Sequence, residues 1–308
     1  MTILCDLSQI ISATVFMGDA HECAKHASEA SKNMIKHSVF NSIRANYMAH
    51  KGTYGKMILA CDDSSWRYDV FPQYKHSRKL KRASDKSGID WEFVDSVKYE
   101  LIADLDEYFP FPVIKIRKVE GDDIIGVLTK YITELEEEGE DVNIFGDVEA
   151  ESILIISSDG DNFQLHKYKN VKQWSPMAKK LVRPEMDIKE LMIEKFVKGE
   201  VGDGIPNIIC SDNHYVNPPE KRLILTAKKK ALLVEAIKKG EIKNLPEYPN
   251  FLRNTKLISY ERIPSEYQDL IISVYKEKTD QKISKMKLMN YFIQHGMKNL
   301  LSQVTDFY

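Results

Sequence analysis

Through the first 185 residues, apolar positions come as short unbroken runs separated by longer stretches with helical spacing. Ile3–Cys5, Lys56–Cys61, Val113–Ile116 and Ile153–Ile156 read as buried strands. Helical spacing runs from His21 to Met48. It returns over Glu120–Glu138, where Ile124, Ile125, Val127, Leu128, Tyr131, Ile132 and Leu135 form one apolar face. Short apolar strands alternating with helices predict a parallel sheet covered on both faces. Val171–Trp174 and Lys180–Val182, joined through Ser175-Pro176-Met177-Ala178, predict a hairpin at the edge of that sheet.

From about Asp187 the strand pattern fades. Met186–Lys198, Lys228–Lys239, Ser265–Glu277 and Lys285–His295 read as helices. Turn-rich stretches holding Gly202, Gly204, Pro206, Pro218, Pro219, Pro246 and Pro249 separate them. The expected fold is therefore α/β: a mostly parallel central sheet flanked by helices, with a C-terminal helical subdomain. Residues 1–185 form the expected first domain and residues 186–308 the second.

Composition narrows the field. With 43% hydrophobic and 29% charged residues, the chain is of ordinary globular make-up. No run approaches the roughly 18 apolar residues of a membrane helix. Met1 leads straight into Thr2–Cys5 with neither a basic flank nor a cleavage pattern, so no secretory leader is expected. Cys5, Cys23, Cys61 and Cys210 lie far apart, which argues against a zinc site and for reduced thiols in a cytoplasmic protein. The formal net charge is -2, from 44 Lys and Arg against 46 Asp and Glu. Taken alone, that balance argues against a polyanionic partner. The placement of the charges reverses it.

Acids recur at the ends of the expected strands. Asp6 follows the first, Asp62 and Asp63 the second, Glu120, Asp122 and Asp123 the third, and Asp159 and Asp161 the fourth. The carboxyl edge of such a sheet is where ligands bind. Any one of these acids could instead be a helix cap or a turn former, and Asp63 is read as a turn residue. Four strand ends repeating the feature favour a metal site. Clustered carboxylates raise one another's pKa unless a cation neutralises them, and Mg²⁺ or Mn²⁺ suits hard oxygen donors. So many carboxylates suggest two ions about 3.5–4 Å apart clamping one phosphate.

Positive charge gathers elsewhere. Arg67, Lys75, Arg78, Lys79, Lys81, Arg82 and Lys86 interleave with Trp66, Tyr68, Phe71 and Tyr74. Such a segment can hold a phosphate backbone while its rings stack on bases. A second basic run holds Lys221, Arg222, Lys228, Lys229 and Lys230, and here a solvated helix face is the competing reading. The polarity of Lys79–Asp90 predicts disorder there. The C-terminal Thr305-Asp306-Phe307-Tyr308 is read as a frayed end in preference to a docking tail.

These motifs, in this order, resemble the flap endonuclease family of 5′ nucleases over nearly the whole chain. The matching stretches are Leu4–Ser8, Ala60–Asp63, Trp66-Arg67 with Tyr74-Lys75 and Arg78, Glu120–Asp123, Ser157–Asp161 and Gly199–Pro206. The resemblance implies 5′–3′ exonuclease and flap endonuclease activity with ribonuclease H activity, in the removal of RNA primers and adjacent DNA during replication. Its substrates would be RNA·DNA and DNA duplexes with 5′ ends or flaps. It implies two Mg²⁺ ions, replaceable by Mn²⁺, held by Asp6, Asp62, Glu120, Asp122, Asp123, Asp159, Asp161 and Asp203. It further implies that Tyr74, Lys75 and Arg78 belong to a basic arch over about residues 66–95 that clamps a 5′ single strand. The C-terminal subdomain would carry a helix-turn-helix-like DNA-binding element. A monomer working with a single-stranded-DNA-binding protein and a sliding clamp is the family expectation.

Three positions depart from the family pattern. Glu200 stands where the family has Asp, as a longer ligand or one acting through water. Gly121 replaces an Ala at little expected cost beyond helix-start stability. Asn207–Asp212 lacks the paired glycines of the family's monovalent-cation turn, so potassium is not expected. His76 and His166 are assigned structural or surface roles. The rival readings are a DNA-binding protein with a decayed site and a two-metal phosphatase. A nearly intact acid set opposes the first, and the long aromatic-basic segment opposes the second.

Overall fold

The computed structural model describes residues 1–138, 152–216 and 223–308. The chain divides into two compact units. The sheet unit comprises Met1–Ser64, Lys86–Arg183 and Glu266–Tyr308; the helical unit comprises Ser65–Asp85 and Pro184–Ser265. This division differs from the single cut expected at residue 185. Residues 65–85 group with the helices, and the last 43 residues group with the sheet.

The sheet holds β1 (Thr2–Asp6), β2 (Lys56–Cys61), β3 (Val113–Lys115), β4 (Ile153–Ile156), β5 (Val171–Ser175) and β6 (Lys180–Val182) in the order β3-β2-β1-β4-β5-β6. All neighbours are parallel except the β5–β6 hairpin. The direction of winding reverses between β1 and β4, the position where open α/β sheets bind ligands. Register sets what meets there. Cys5 pairs with Ile156, so Asp6 and Ser157 leave the sheet side by side, and Asp6 pairs with Ala60, two residues before Asp62.

Caps decide where the helices begin. Asp6 ends β1 and caps helix Leu7–Val15 by accepting from Gln9 N–H. The helix expected over His21–Met48 is two helices, Gly18–Cys23 and Glu29–Tyr54, because Ser28 takes an extended backbone and caps the second. Helix Trp91–Tyr108, capped by Asp90, is one the apolar pattern did not announce. The C-terminus is not frayed. Val304–Phe307 forms a short helical turn, Phe307 is buried, and the Asp306 carboxylate accepts from Arg44. Phe307 joins Phe40, Phe109, Tyr291 and Phe292 in an aromatic cluster, with the Phe40 and Phe109 centroids 4.5 Å apart. Each such ring stabilises the unit by about 1.5–3 kcal/mol through burial.

The helical unit packs on two small cores: Phe71, Tyr74, Ile205, Leu257 and Ile258, and Val197, Ile208, Leu233 and Ile242. Contrary to the expected disorder from Lys79, residues His76–Ala83 form a helix. Gly199 has φ +69°, and a Cβ there would lie 2.4 Å from the Ile205 carbonyl oxygen. Only glycine permits that approach, and it lets Glu200 and Ile205 exchange both backbone hydrogen bonds at 2.9 Å. The closed loop between them carries Asp203.

Candidate functional site

In the sheet unit, the strand-end acids Asp6, Asp62, Asp122, Asp159 and Asp161 lie within electrostatic reach of one another. Asp6 Oδ1 accepts from Gln9 N–H at 2.9 Å and Oδ2 from the Ser157 hydroxyl at 3.2 Å. Asp62 Oδ1 accepts from Gly121 N–H at 2.6 Å. Asp122 Oδ1 accepts from the Asn162 amide at 3.1 Å. Asp159 Oδ1 accepts from Asp161 N–H at 2.8 Å and caps the helical turn Gly160–Lys167. Capping and clustering are thus both true of the same carboxylates. Asp63 stands apart as a loop former, accepting from Lys118 N–H at 3.2 Å.

Glu120 and Asp123 act together at the start of helix Gly121–Glu138. The fully buried Asp123 carboxylate accepts from Glu120 N–H at 3.4 Å, the reciprocal half of a capping box. That bond ties Asp123 to its own helix start and turns Asp122, one position earlier, toward Asn162.

The electrostatics follow from this crowding. Burial, and then the charge of Asp62, raises the Asp6 carboxyl from its ordinary value to about 7. Burial, followed by the charges of Asp6, Asp159, Asp62 and Asp161, holds Asp122 well above the usual carboxylate range. Among the described residues, Asp6, Asp62 and Asp122 hydrogen-bond to neutral donors. Among the described residues, no three Asp, Glu, His or Cys side chains converge tightly enough to enclose an ion as they stand. Mutual repulsion accounts for that spacing, since each carboxylate turns to its own local donor. The donor set itself fits hard divalent cations: several oxygens from four strand ends, in electrostatic reach of one another, three of the acids having no ion-pair partner among the described residues.

The helical unit presents the other predicted group. Tyr74 hydroxyl donates to Asp203 Oδ2 at 3.1 Å, and the Arg78 guanidinium meets Asp203 Oδ1 at 2.5 Å. Lys75, in the left-handed region at φ 52°, donates its N–H to the Asp203 carbonyl at 2.7 Å. The basic segment is therefore docked on the loop closed by Glu200 and Ile205. Glu200 pairs with Lys195 at 3.2 Å. Lys79, Lys81 and Arg82 are exposed.

Two expectations need correction. Arg67 was placed on the nucleic-acid surface, but it is buried. Its Nε donates to the Leu257 carbonyl at 2.7 Å, and its guanidinium lies 4.6 Å from the centre of the Trp66 ring. It anchors the helical unit from inside. In the second basic run, Lys229 and Lys230 are paired with Glu247 and Glu194, while Lys228 and Lys229 are exposed. Lys221 and Arg222 lie outside the described residues. The Asn207–Asp212 turn is organised by a cation of the chain's own. Arg253 donates to the Pro206 carbonyl at 2.9 Å and to Asp212 at 2.6 Å.

Sequence reasoning missed the neutral side chains behind the acids. Ser157, Asn162 and Gln173 are all buried. Gln173 donates to the carbonyls of Ser157 and Asp159 at 2.9 and 2.8 Å, and its Oε1 meets His166 Nε2 at 3.3 Å. Gln9 accepts from Ser158 N–H. A polar residue inside or just after an apolar strand was the available sign, and Ser157 and Gln173 both carry it.

Comparison with known proteins identifies the family and the fold. A family model for the N-terminal resolvase-like domain of 5′–3′ exonucleases matches residues 21–197. A model for the C-terminal part of phage T4 RNase H matches residues 183–307. The chain is 31% identical to a curated ribonuclease H of Enterobacteria phage T4, over 99% of this chain and 95% of that protein. Among solved structures, a bacteriophage T5 protein co-crystallised with metal ions aligns with a TM-score of 0.58 at 18% identity, covering 90% of this chain and 97% of the other. A pseudo-enzyme–product complex of the T5 flap endonuclease with DNA and metal ions also aligns at 0.58, at 19% identity, over 91% and 99% of the two chains. These likenesses support the mostly parallel sheet with its C-terminal helical part.

Proposed function

This chain belongs to the 5′–3′ exonuclease family, and on that premise we propose that it is a 5′ nuclease with ribonuclease H and flap endonuclease activity. Its role is the removal of RNA primers and adjacent DNA from lagging-strand fragments during phage DNA replication. The substrates are RNA·DNA and DNA duplexes bearing 5′ ends or flaps. A single-stranded-DNA-binding protein and a sliding clamp are its proposed partners, and it works as a monomer. The observation that carries this reading is the group of mutually repelling carboxylates, the buried Asp6 with the half-buried Asp62, Asp122, Asp159 and Asp161, at the strand ends beside the winding reversal of the sheet.

Glu120, Asp122, Asp159 and Asp161 would hold one Mg²⁺ or Mn²⁺, with Asp6 and Asp62 completing a second position. When bound, two such ions supply the positive charge that activates water and stabilises the charge growing on the phosphate. The chain's own part is to hold these carboxylates near one another and correctly turned, so that they release their protons when a cation binds. Asp123 does so indirectly, by fixing the helix start. Lys75 and Arg78 neutralise nonbridging phosphate oxygens, Arg78 through its planar fork, and Tyr74 sets the height of that fork through Asp203. Glu200 and Asp203 act through Lys195 and Arg78. Lys79, Lys81, Arg82 and Lys228 contact phosphates further along the strand.

The test is incubation with Mg²⁺ and a 5′-labelled RNA·DNA hybrid or flap, beside an Asp122→Asn control. Short 5′ products that vanish in the variant are expected. Tight binding without cleavage in any divalent metal overturns the reading.

A further inference from the structure

The strand-end acids come from separate elements, and their positions relative to one another depend on what joins those elements. One joining point stands out. Ser157 immediately follows β4 and is fully buried. Its Oγ donates to Asp6 Oδ2 at 3.2 Å, across the winding reversal, and accepts from Asp159 N–H at 3.1 Å. The same oxygen accepts from Asn162 Nδ2 at 3.3 Å. That amide nitrogen also donates to Asp122 Oδ1 at 3.1 Å, on the helix that follows β3. Asn162 is itself fully buried. A buried amide costs free energy unless its donors are satisfied, and here both of these donors serve the acid group.

We propose that Asn162 is a positioning residue for the divalent-metal site, joining the Asp122 carboxylate to Ser157 and thereby setting Asp6, Asp122 and Asp159 relative to one another. The inference rests on the metal-nuclease reading above. A neutral amide suits the position for two reasons. A cation there would compete with the ions for Asp122, and another carboxylate would add to the repulsion. An amide offers donors without changing the charge of the site. Outer partners of ligating carboxylates typically affect metal affinity by about 10- to 100-fold.

Two variants test the idea, with Mn²⁺ binding followed by electron paramagnetic resonance on the full-length protein and no substrate present. Asn162→Leu keeps the branched shape of the side chain at a somewhat larger volume and removes both donors. Ser157→Ala removes the shared oxygen and leaves the Asn162–Asp122 bond. Thermal unfolding checks that each variant folds. Asn162→Leu is expected to weaken Mn²⁺ binding about 10- to 100-fold, and Ser157→Ala by a smaller factor in the same direction. In cleavage assays the loss in Asn162→Leu is expected to appear in kcat at limiting Mn²⁺ and to recover at saturating Mn²⁺. KM for the nucleic acid stays unchanged, a split that a general packing defect does not give. Asp122→Asn should not recover. Wild-type Mn²⁺ affinity in a folded Asn162→Leu protein overturns the proposal, as does wild-type affinity in Ser157→Ala should the leucine variant fail to fold. Failure of the wild-type protein to bind Mn²⁺ at all instead overturns the metal-nuclease reading beneath it.

Discussion

The helical unit and the strand ends of the sheet treat their acids in opposite ways, although elsewhere in the sheet unit acids such as Asp104 and Asp306 are paired with Lys36 and Arg44. In the helical unit, carboxylates are matched to cations: Asp203 to Arg78, Glu200 to Lys195, Glu194 to Lys198 and Lys230, Glu247 to Lys229, Asp212 to Arg253. At the strand ends of the sheet, the buried Asp6 and the half-buried Asp62 and Asp122 lie near one another and, among the described residues, hydrogen-bond to neutral donors. Paired charges near a surface hold loops in place and contribute about 0–1 kcal/mol each. Buried like charges oppose folding, so a chain that keeps them has a use for them. Stability and function should therefore respond in opposite directions at the strand-end acids and in the same direction in the helical unit.

Asp122→Asn breaks this comparison most severely if it is wrong. Cleavage should fall by at least about 10²–10³-fold, the scale of losing one group that stabilises transition-state charge. The metal-free variant should nevertheless melt at a higher temperature than wild type at pH 8, because one of several repelling charges is gone. A lower melting temperature would mean that the carboxylate group is not strained.

The pH dependence follows from the same crowding. The Asp6 carboxyl titrates at about 7 in the folded protein, against an ordinary value of 3.8. The folded state thus holds a proton that the unfolded chain has released. The stabilisation from this group is full below about pH 4 and is lost as pH rises through about 7. Metal-free protein should lose thermal stability between pH 5 and pH 8, and Mg²⁺ should flatten that slope. A melting temperature that rises over the same interval without metal would contradict the assignment.

In the helical unit, Asp203→Asn should lower stability and activity together. Arg78 is largely exposed, so losing the pair costs about 0–1 kcal/mol. The fork also loses its orienting anion, and the expected sign is a raised KM for a 5′ flap with a smaller change in kcat. A variant more stable than wild type would erase the distinction between the units.

Much of this contrast was legible in the sequence, because strand-end acids and a basic run are compositional facts that burial does not change. The strands' places along the chain follow from short apolar runs, and all six expected strands form, while their order in the sheet comes from the structure. The details that failed depend on partners far away in the chain. Arg67 reads as a surface cation until Leu257 and Trp66 enclose it. Phe307 reads as a frayed end until Phe109 receives it. Helix Trp91–Tyr108 hides its buried face among seven acidic and basic side chains, and Ser157 and Asn162 look like turn residues until their hydrogen bonds are traced.

Gly121 gives the smallest expected effect and the finest test. By sequence, glycine in place of alanine at a helix start is a modest loss of propensity, so Gly121→Ala should stabilise by up to about 1 kcal/mol. The structure adds an opposing contact. A Cβ at this position would lie 3.1 Å from Asp62 Oδ1 and 3.4 Å from the Ala60 carbonyl oxygen, which is backbone of β2. The strand cannot yield easily, so the Asp62 carboxylate must shift by a few tenths of an ångström from its 2.6 Å bond to Gly121 N–H. Propensity and crowding then nearly cancel in stability but not in function. The variant should melt within a few degrees of wild type while binding Mn²⁺ a few-fold more weakly, because a displaced acid alters the metal site without unfolding anything. Unchanged affinity would show that Asp62 tolerates the displacement and stands further from the ions than its neighbours.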